Sequence, residues 1–312
     1  MGFTANLILK ELDVHVTFPY GISIVSNMAF PEMVQANDKF LSAVKSIATD
    51  PFFDGIEIPK PPDDLWDKVE ELVEDEGKVA ILAGQPEILN RGFNPSNLDE
   101  DERKRAIDGL SKMIEDAGAH GVWLVALCSG PDPGAAKRKD AANNMVDSFR
   151  QLCEKANGCG VSLLVETFDR TLDKKLLVGP MDEAVKIVGE VRKDYDNIGI
   201  LWDLSHGPLI GEKPEVLSKA GELLEHIHIG CAERTGSGGL LDHHPGFYSK
   251  NAVNTTDDVA NLLEVLSDGD YFGFVGFEVK PQDFQTSQEV IGTAKSVLLE
   301  GFQKAIPRIL AK

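Results

Sequence analysis

Short apolar runs alternate along the chain with longer amphipathic stretches. The runs predict eight strands, at 22–25, 55–58, 79–82, 122–127, 161–165, 198–202, 226–229 and 274–277. The stretches between them predict helices at 32–47, 64–75, 100–116, 135–156, 181–191, 214–220, 256–266 and 288–311. This alternation is typical of βα units that close a parallel sheet. We therefore predict an α/β fold, a (β/α)8 barrel, as a single domain over 1–312.

Two segments lie outside the regular alternation. The run 13–18 is as good a β pattern as 22–25, so residues 1–20 are either an N-terminal extension or part of the barrel. The segment 230–254 is glycine-rich and far longer than the few residues that usually join a strand to a helix. Long loops after barrel strands tend to carry function, so we interpret 230–254 as an active-site loop.

Composition narrows the class of protein. The 51 acidic and 31 basic residues give a formal net charge of −20, which repels phosphate backbones and anionic membrane surfaces. We therefore expect neither nucleic acid nor membrane as a partner. No apolar stretch approaches the roughly 20 residues of a membrane span, and no secretion signal is apparent. The four cysteines show neither metal-finger nor disulfide spacing, which favours reduced thiols in a cytoplasmic protein.

Acidic or histidine side chains that could bind a metal lie at the ends of the last four predicted strands. Because the carboxyl ends of parallel barrel strands meet at one mouth, side chains that follow these strands should converge. Any one of these side chains, taken alone, is more typical of a solvated loop residue or a helix cap. Together they predict a site for Mn²⁺ or Mg²⁺, or less selectively Co²⁺ or Zn²⁺, with no organic cofactor. The predicted ligands are Glu166, Asp203, His228 and Glu278.

Further histidines flank these ligands. His206, three residues after Asp203, is placed to bind the metal or a substrate oxygen, or else to bond to the backbone of its turn. His226 shares a strand face with His228 and is more typical of a packed residue. His243 and His244, in the long loop, are candidates for an acid/base, for a phosphate or hydroxyl contact, for a second metal site, or for an exposed pair.

One aromatic side chain completes the candidates. Trp123 is read either as an apolar wall for a sugar ring or as barrel packing.

The sequence resembles the xylose isomerase-like TIM barrel superfamily. The resemblance is to sugar isomerases and epimerases related to tagatose and psicose 3-epimerases, hydroxypyruvate isomerase and inosose-processing enzymes. It covers about residues 160 to 281, with one further motif in the N-terminal half. The matching pieces are Val165-Glu166, Trp202-Asp203-Leu204-Ser205-His206, His226-Ile227-His228-Ile229-Gly230 with Arg234, the glycine-rich run 236–242, Gly276-Phe277-Glu278 and Asp54-Gly55-Ile56-Glu57-Ile58.

The resemblance implies roles for individual residues. It makes the four predicted ligands the metal set, His206 and Arg234 substrate contacts, and Glu57 a residue of the pocket. It also implies that Glu166 and Glu278 move the proton, one on each face of the substrate carbon. The chain departs from the epimerases at Leu172, where they carry an acidic residue, and in the loop with His243 and His244.

The leading functional hypothesis is a metal-dependent isomerase or epimerase of a small keto-sugar or polyol-derived ketone. Such an enzyme would transfer a proton through an enediolate. The resemblance also implies a homodimer or homotetramer. The alternative is a lyase or dehydratase on 3-keto-glycosides or inososes, with the His243 and His244 loop supplying an acid. Two further readings are a noncatalytic sugar-binding subunit and an AP-endonuclease-like enzyme, and the charge of −20 argues against the latter.

Overall fold

The computed structural model describes residues 2–9, 12–269 and 271–312. Met1, Lys10 and Glu11, which belong to the predicted 1–20 extension, lie outside the described residues, as does Asp270. Twelve strands are described: β1 Thr4–Leu9, β2 Leu12–Thr17, β3 Gly21–Ile24, β4 Gly55–Pro59, β5 Val79–Ala83, β6 Leu124–Cys128, β7 Ser162–Glu166, β8 Ile198–Asp203, β9 Leu224–Gly230, β10 Glu233–Arg234, β11 Leu240–Leu241 and β12 Phe274–Glu278.

The helices lie mainly between the barrel strands. The α-helices are α1 Ser26–Ala29, α2 Asn37–Ala48, α3 Trp66–Asp75, α4 Gln85–Leu89, α5 Glu100–Ala119, α6 Arg138–Gly158, α7 Met181–Val191, α8 Gly207–Ile210, α9 Thr256–Asp268 and α10 Ser287–Ile309. Three 3₁₀ segments span Pro31–Gln35, Pro214–Lys219 and Gly221–Leu223. Among the described residues, no helix is both long and apolar enough to cross a membrane.

Eight strands form one parallel sheet in the order β3, β12, β9, β8, β7, β6, β5, β4. The two ends of that order meet through a single parallel bridge between Val25 and Glu57, so the barrel is nearly closed. The predicted (β/α)8 barrel is confirmed, and each predicted barrel strand overlaps an observed one.

Alternation along each strand decides what lies inside the barrel. Successive side chains point to opposite faces, so one set packs against the helices and the other fills the interior. The interior apolar cluster is small and lies low in the barrel: Ile81, Leu124, Ala126, Leu164 and Leu201, with Phe274 packed against it. The interior positions further along β4, β7, β8, β9 and β12 are polar, and they build the site described below.

The N-terminal segment resolves the ambiguity of the first strand. The predicted run 13–18 corresponds to β2, which pairs with β1 in an antiparallel hairpin separate from the barrel sheet. Phe3 stacks on Phe18 at 4.9 Å between ring centroids and meets Phe302 of α10 edge-on. The first barrel strand is therefore β3, and the described part of 1–20 is an extension that packs on the last helix.

Two predicted helices differ from the observed ones. The segment 32–47 is split, because Ala36 has extended backbone between the 3₁₀ segment Pro31–Gln35 and α2. The segment 214–220 forms a 3₁₀ helix that starts at Pro214. Neither α4 nor α8 was predicted, because four or five residues carry too little periodicity to signal a helix.

Candidate metal centre

The four predicted ligands meet at the mouth of the barrel. Glu166, Asp203 and Glu278 end β7, β8 and β12, and His228 points inward from β9. One ligand atom from each residue lies within 4.8 Å of one from every other. The Nδ1 atom of His228 is 3.0 Å from Glu278 Oε2 and 3.7 Å from Glu166 Oε1. These four residues are called the tetrad below.

The tetrad fits a divalent cation. Glu166 Oε1 and Asp203 Oδ2 are buried and have no hydrogen-bond partner in the protein. A buried carboxylate oxygen without a partner is costly, and three carboxylates this close repel one another. Burial raises the pKa of Asp203 even though His206 and His244 lie beside it. A cation would neutralise this crowding, and three carboxylates with one imidazole suit Mn²⁺ or Mg²⁺.

Glu57 lies beneath the tetrad, inside the barrel. Its Oε1 accepts hydrogen bonds from Ser23 Oγ at 2.6 Å and His226 Nε2 at 3.0 Å. Its Oε2 accepts from His228 Nε2 at 2.8 Å. Burial alone would raise the pKa of Glu57, but the charges and hydrogen bonds of His228 and His226 hold it well below its usual value.

Glu57 decides which nitrogen of His228 can bind a metal. Both ring nitrogens face carboxylates, since Nε2 donates to Glu57 and Nδ1 lies 3.0 Å from Glu278 Oε2; burial would lower the pKa of His228, but Glu57, Glu166 and Glu278 raise it well above its usual value. A cation would replace the hydrogen on Nδ1, while the bond to Glu57 would keep the hydrogen on Nε2. The resemblance makes Glu57 a residue of the substrate pocket. The structure corrects that placement, since Glu57 is 1% exposed and its carboxylate is occupied by three protein donors.

A glycine in β12 makes room for this carboxylate. A Cβ at Gly276 would lie 2.2 Å from Glu57 Oε1, 2.7 Å from Ser23 Oγ and 3.1 Å from His228 Cδ2. No side chain fits at that distance. Gly276 faces the interior in the same register as His228, so its missing side chain is the space that Glu57 occupies.

A second group of polar side chains borders the tetrad on its loop side. His206 donates from Nδ1 to the Thr167 carbonyl at 2.7 Å and from Nε2 to Asp242 Oδ1 at 3.1 Å. Both partners can only accept, so both ring nitrogens carry hydrogen and His206 is an imidazolium. Burial would lower the pKa of His206, but Asp242 and Asp203 raise it well above its usual value.

His244 reaches the same carboxylate from the long loop. Its Nε2 lies 2.7 Å from Asp242 Oδ1 and 3.5 Å from Glu278 Oε1, and its Nδ1 lies 3.8 Å from Asp203 Oδ2. Burial would lower the pKa of His244, but Glu278 and Asp242 raise it to about 9. His244 is thus a buried member of the site.

The neighbouring histidine lies outside this site. The side chain of His243 is 52% exposed, and its Nδ1 is 2.8 Å from Glu233 Oε2. Of the alternatives for the loop pair, the exposed one therefore describes His243.

Sequence reasoning missed two residues of the site. Asp242 joins His206 and His244, and it is held from outside by Lys174 Nζ at 3.3 Å and by Asp173, which accepts its backbone N–H at 3.0 Å. Gln85, at the start of α4, donates to Glu166 Oε2 at 2.7 Å. The only sequence signal for Asp242 was its position directly before the two histidines, and Gln85 gave none.

Two predicted substrate contacts lie outside this buried group, Arg234 at the rim of the mouth and Trp123 at the far end of the barrel. Arg234 sits on the two-residue strand β10 at the rim, where it is exposed. Trp123 immediately precedes β6, and its carbonyl accepts from Ser162 N at the start of β7. It is therefore at the N-terminal face, opposite the tetrad. The prediction of Trp123 as a wall for the substrate is corrected: the ring is 43% exposed at the far end of the barrel.

The fold and the site together define a class. Residues 46–296 match the xylose isomerase-like TIM barrel family, and the chain belongs to that family. Over 245 residues it is 28% identical to a putative hydroxypyruvate isomerase of Streptomyces coelicolor, and the match covers 75% of this chain and 80% of that protein.

Solved structures give the same fold. An L-ribulose 3-epimerase superposes with a TM-score of 0.74 at 18% identity, covering 93% of this chain and 96% of that one. An IolI protein with a bound zinc atom superposes with a TM-score of 0.70 at 20% identity, covering 91% and 99%. At these identities the likeness establishes the fold.

Proposed function

We propose that the protein is a divalent-metal-dependent isomerase or epimerase of a small keto-sugar or polyol-derived ketone. The observation that carries the proposal is the tetrad itself: two buried carboxylate oxygens without partners face an imidazole that Glu57 orients toward them. The similarity to a putative hydroxypyruvate isomerase and the fold shared with an L-ribulose 3-epimerase support this reaction class.

The tetrad would hold the cation, and Mn²⁺ or Mg²⁺ suits its donor atoms. When bound, the cation polarises a carbonyl and the adjacent hydroxyl and so acidifies the C–H bond between them. The IolI protein, which shares the fold, binds zinc, so the metal that this protein binds has to be measured.

The side chains of the chain then move the proton. Either Glu166 or Glu278 removes the proton from the substrate carbon, and one of them returns it. Gln85 orients Glu166 through its amide. His206 places a fixed positive charge beside the ligands and holds Asp242, and Arg234 supplies a guanidinium at the rim for substrate oxygens.

The test combines metal analysis with a substrate screen. Purified protein should bind one Mn²⁺ per tetrad, and turnover of keto-sugars should stop with EDTA and return with manganese. Glu166→Gln and Glu278→Gln should each lower kcat by about 10² to 10⁴-fold, with an unchanged circular dichroism spectrum. The matched control is Glu87→Gln, a buried glutamate that pairs with Arg91 outside the tetrad and should leave kcat unchanged.

Two results would contradict the proposal. One is full activity in either tetrad variant, and the other is turnover that is indifferent to EDTA. Product mass distinguishes isomerisation from the alternative of elimination, since only elimination releases water or an aglycone.

A further inference from the structure

Two histidines of the site share one arrangement. His228 donates from Nε2 to Glu57 and turns Nδ1 toward the tetrad. His244 bonds Asp242 through Nε2, and its Nδ1 is buried, has no hydrogen-bond partner and lies 3.8 Å from Asp203 Oδ2. His228 belongs to the tetrad, whereas His244 lies beside it and forms a second close group with Asp203 and His206. The Nδ1 atom of His244 therefore lies next to the tetrad without a hydrogen-bond partner in the protein.

The position of His244 relative to the open side of the tetrad follows from the barrel. Below the ligands the interior is filled by Glu57, His226 and Ser23. Any substrate must therefore approach from the mouth, where the long loop carries His244. Substrate oxygens would therefore reach a cation held by the tetrad from that side. His244 borders Asp203 and Glu278 there.

The loop holds His244 firmly in this place. Its backbone has a φ of 50°, in the left-handed region that costs a non-glycine residue free energy. Its carbonyl accepts from the Lys280 N–H at 2.7 Å, just beyond β12. Asp242 is fixed in turn by Lys174 and Asp173. A strained residue held from three sides is typical of a functional position.

The two reaction types of the proposed function differ in which protons move. Epimerisation removes a proton from carbon and returns one to the other face of the same carbon, and the carbonyl stays in place. Isomerisation shifts the carbonyl to the neighbouring carbon, so a hydroxyl proton must also pass from one oxygen to the other. Of these two reactions, only isomerisation needs a proton carrier beside the oxygens that is not a metal ligand.

We propose that His244 carries the hydroxyl proton between the two adjacent substrate oxygens, and that the protein is therefore an aldose–ketose type isomerase. This inference rests on the proposed function. The His244 imidazolium, which Asp242 stabilises, gives its Nδ1 proton to the carbonyl oxygen, and the same nitrogen then takes the proton from the former hydroxyl oxygen. A tetrad glutamate meanwhile moves the carbon-bound proton between the two carbons. All protons balance, and no oxidant or reductant is needed.

The test separates the carbon-bound proton from the oxygen-bound one. Manganese-loaded full-length protein is incubated with hydroxypyruvate or L-ribulose in D₂O. Proton NMR then measures exchange of the C–H next to the carbonyl and formation of the aldehyde isomer. His244→Gln should lower formation of the aldehyde by about 10²-fold or more. It should lower C–H exchange far less, so that the ratio of exchange to conversion rises at least tenfold.

Matched controls make this result interpretable. His243→Gln changes the same residue type one position earlier, on an exposed side chain, and should leave the ratio unchanged. Manganese content, measured by mass spectrometry, should be the same in both variants and in the wild type. A loss of metal in His244→Gln would assign the residue to metal binding and overturn the inference.

The other outcomes are equally decisive. Equal losses of exchange and conversion, or no loss of either, would overturn the role of His244. Wild-type protein that inverts a carbon of L-ribulose without moving its carbonyl would overturn the inference and leave the proposed function standing. Wild-type protein that neither exchanges nor converts any keto-sugar in the screen would contradict the proposed function itself.

Discussion

Replacing Glu57 by glutamine should weaken metal binding without touching a metal ligand. The carboxylate accepts three hydrogen bonds, from Ser23, His226 and His228. An amide has one accepting oxygen and one donating nitrogen, so in either orientation at least one histidine meets a donor instead of an acceptor. If that histidine is His228, its Nε2 becomes an acceptor and its proton moves to Nδ1, the atom that faces the tetrad.

The magnitude follows from the bond that is lost. A hydrogen bond to a charged group contributes about 1.5 to 3 kcal/mol, and every 1.4 kcal/mol is a factor of ten in affinity. Glu57→Gln should therefore raise the Kd for Mn²⁺ by about 10 to 100-fold, the range seen when groups that orient a ligand are removed. Isothermal titration calorimetry on protein stripped with EDTA measures this change.

Ser23→Ala is the matched control for this prediction. It removes one of the three bonds to Glu57 but leaves both imidazole contacts. Its Kd for Mn²⁺ should stay within about threefold of the wild type, because the tautomer of His228 is still fixed. If Glu57→Gln binds Mn²⁺ as tightly as Ser23→Ala does, the reasoning about the tautomer is wrong.

Two further predictions concern packing and thiol chemistry. Gly276→Ala places a methyl group 2.2 Å from Glu57 Oε1, so we expect a lower midpoint of thermal unfolding and weaker Mn²⁺ binding, whereas Gly292→Ala on α10, with nothing within 4 Å, should change neither. A thiol reagent at neutral pH should modify only Cys159 in the folded protein and all four cysteines after unfolding. The other three thiols, of Cys128, Cys153 and Cys231, are buried, and burial raises their pKa so that they stay protonated. The pKa of Cys153 is raised to about 12. Rapid labelling of two or more thiols in the native state would contradict this.

The barrel could be predicted from the sequence because its strands are buried on both faces. The run 198–202 contains no polar side chain and the run 161–165 only Ser162, and a central parallel strand needs such a pattern. The tetrad could be predicted for the same reason, since a charged side chain directly after such a run must lie at a strand end. The apolar runs do not show how deep in the barrel a charged side chain lies. Glu57 also lies in an apolar run, and only its contacts with Ser23, His226 and His228 show that its carboxylate points into the barrel interior.

Other parts of the site depend on contacts between distant loops. Trp123 was assigned to a strand that in fact begins at Leu124, so it falls before the barrel and at its other face. Asp242 and His244 join the site because the loop adopts left-handed backbone at His244 and is tied to Lys174. No periodicity encodes such a turn. The sequence therefore could not show which of His243 and His244 joins the site, although His244 is buried and His243 is exposed.

The hairpin and the last helix have a practical consequence. Phe3 packs beside Phe18, just before the first barrel strand, and Lys312 Nζ lies 3.1 Å from Glu264 Oε1 near the end of α9. The first and last described residues thus lie on the side of the barrel away from the tetrad. Coupling the protein to a bead or a sensor chip through a tag at either extremity should orient its opening toward the flowing solution, where reactants arrive unhindered.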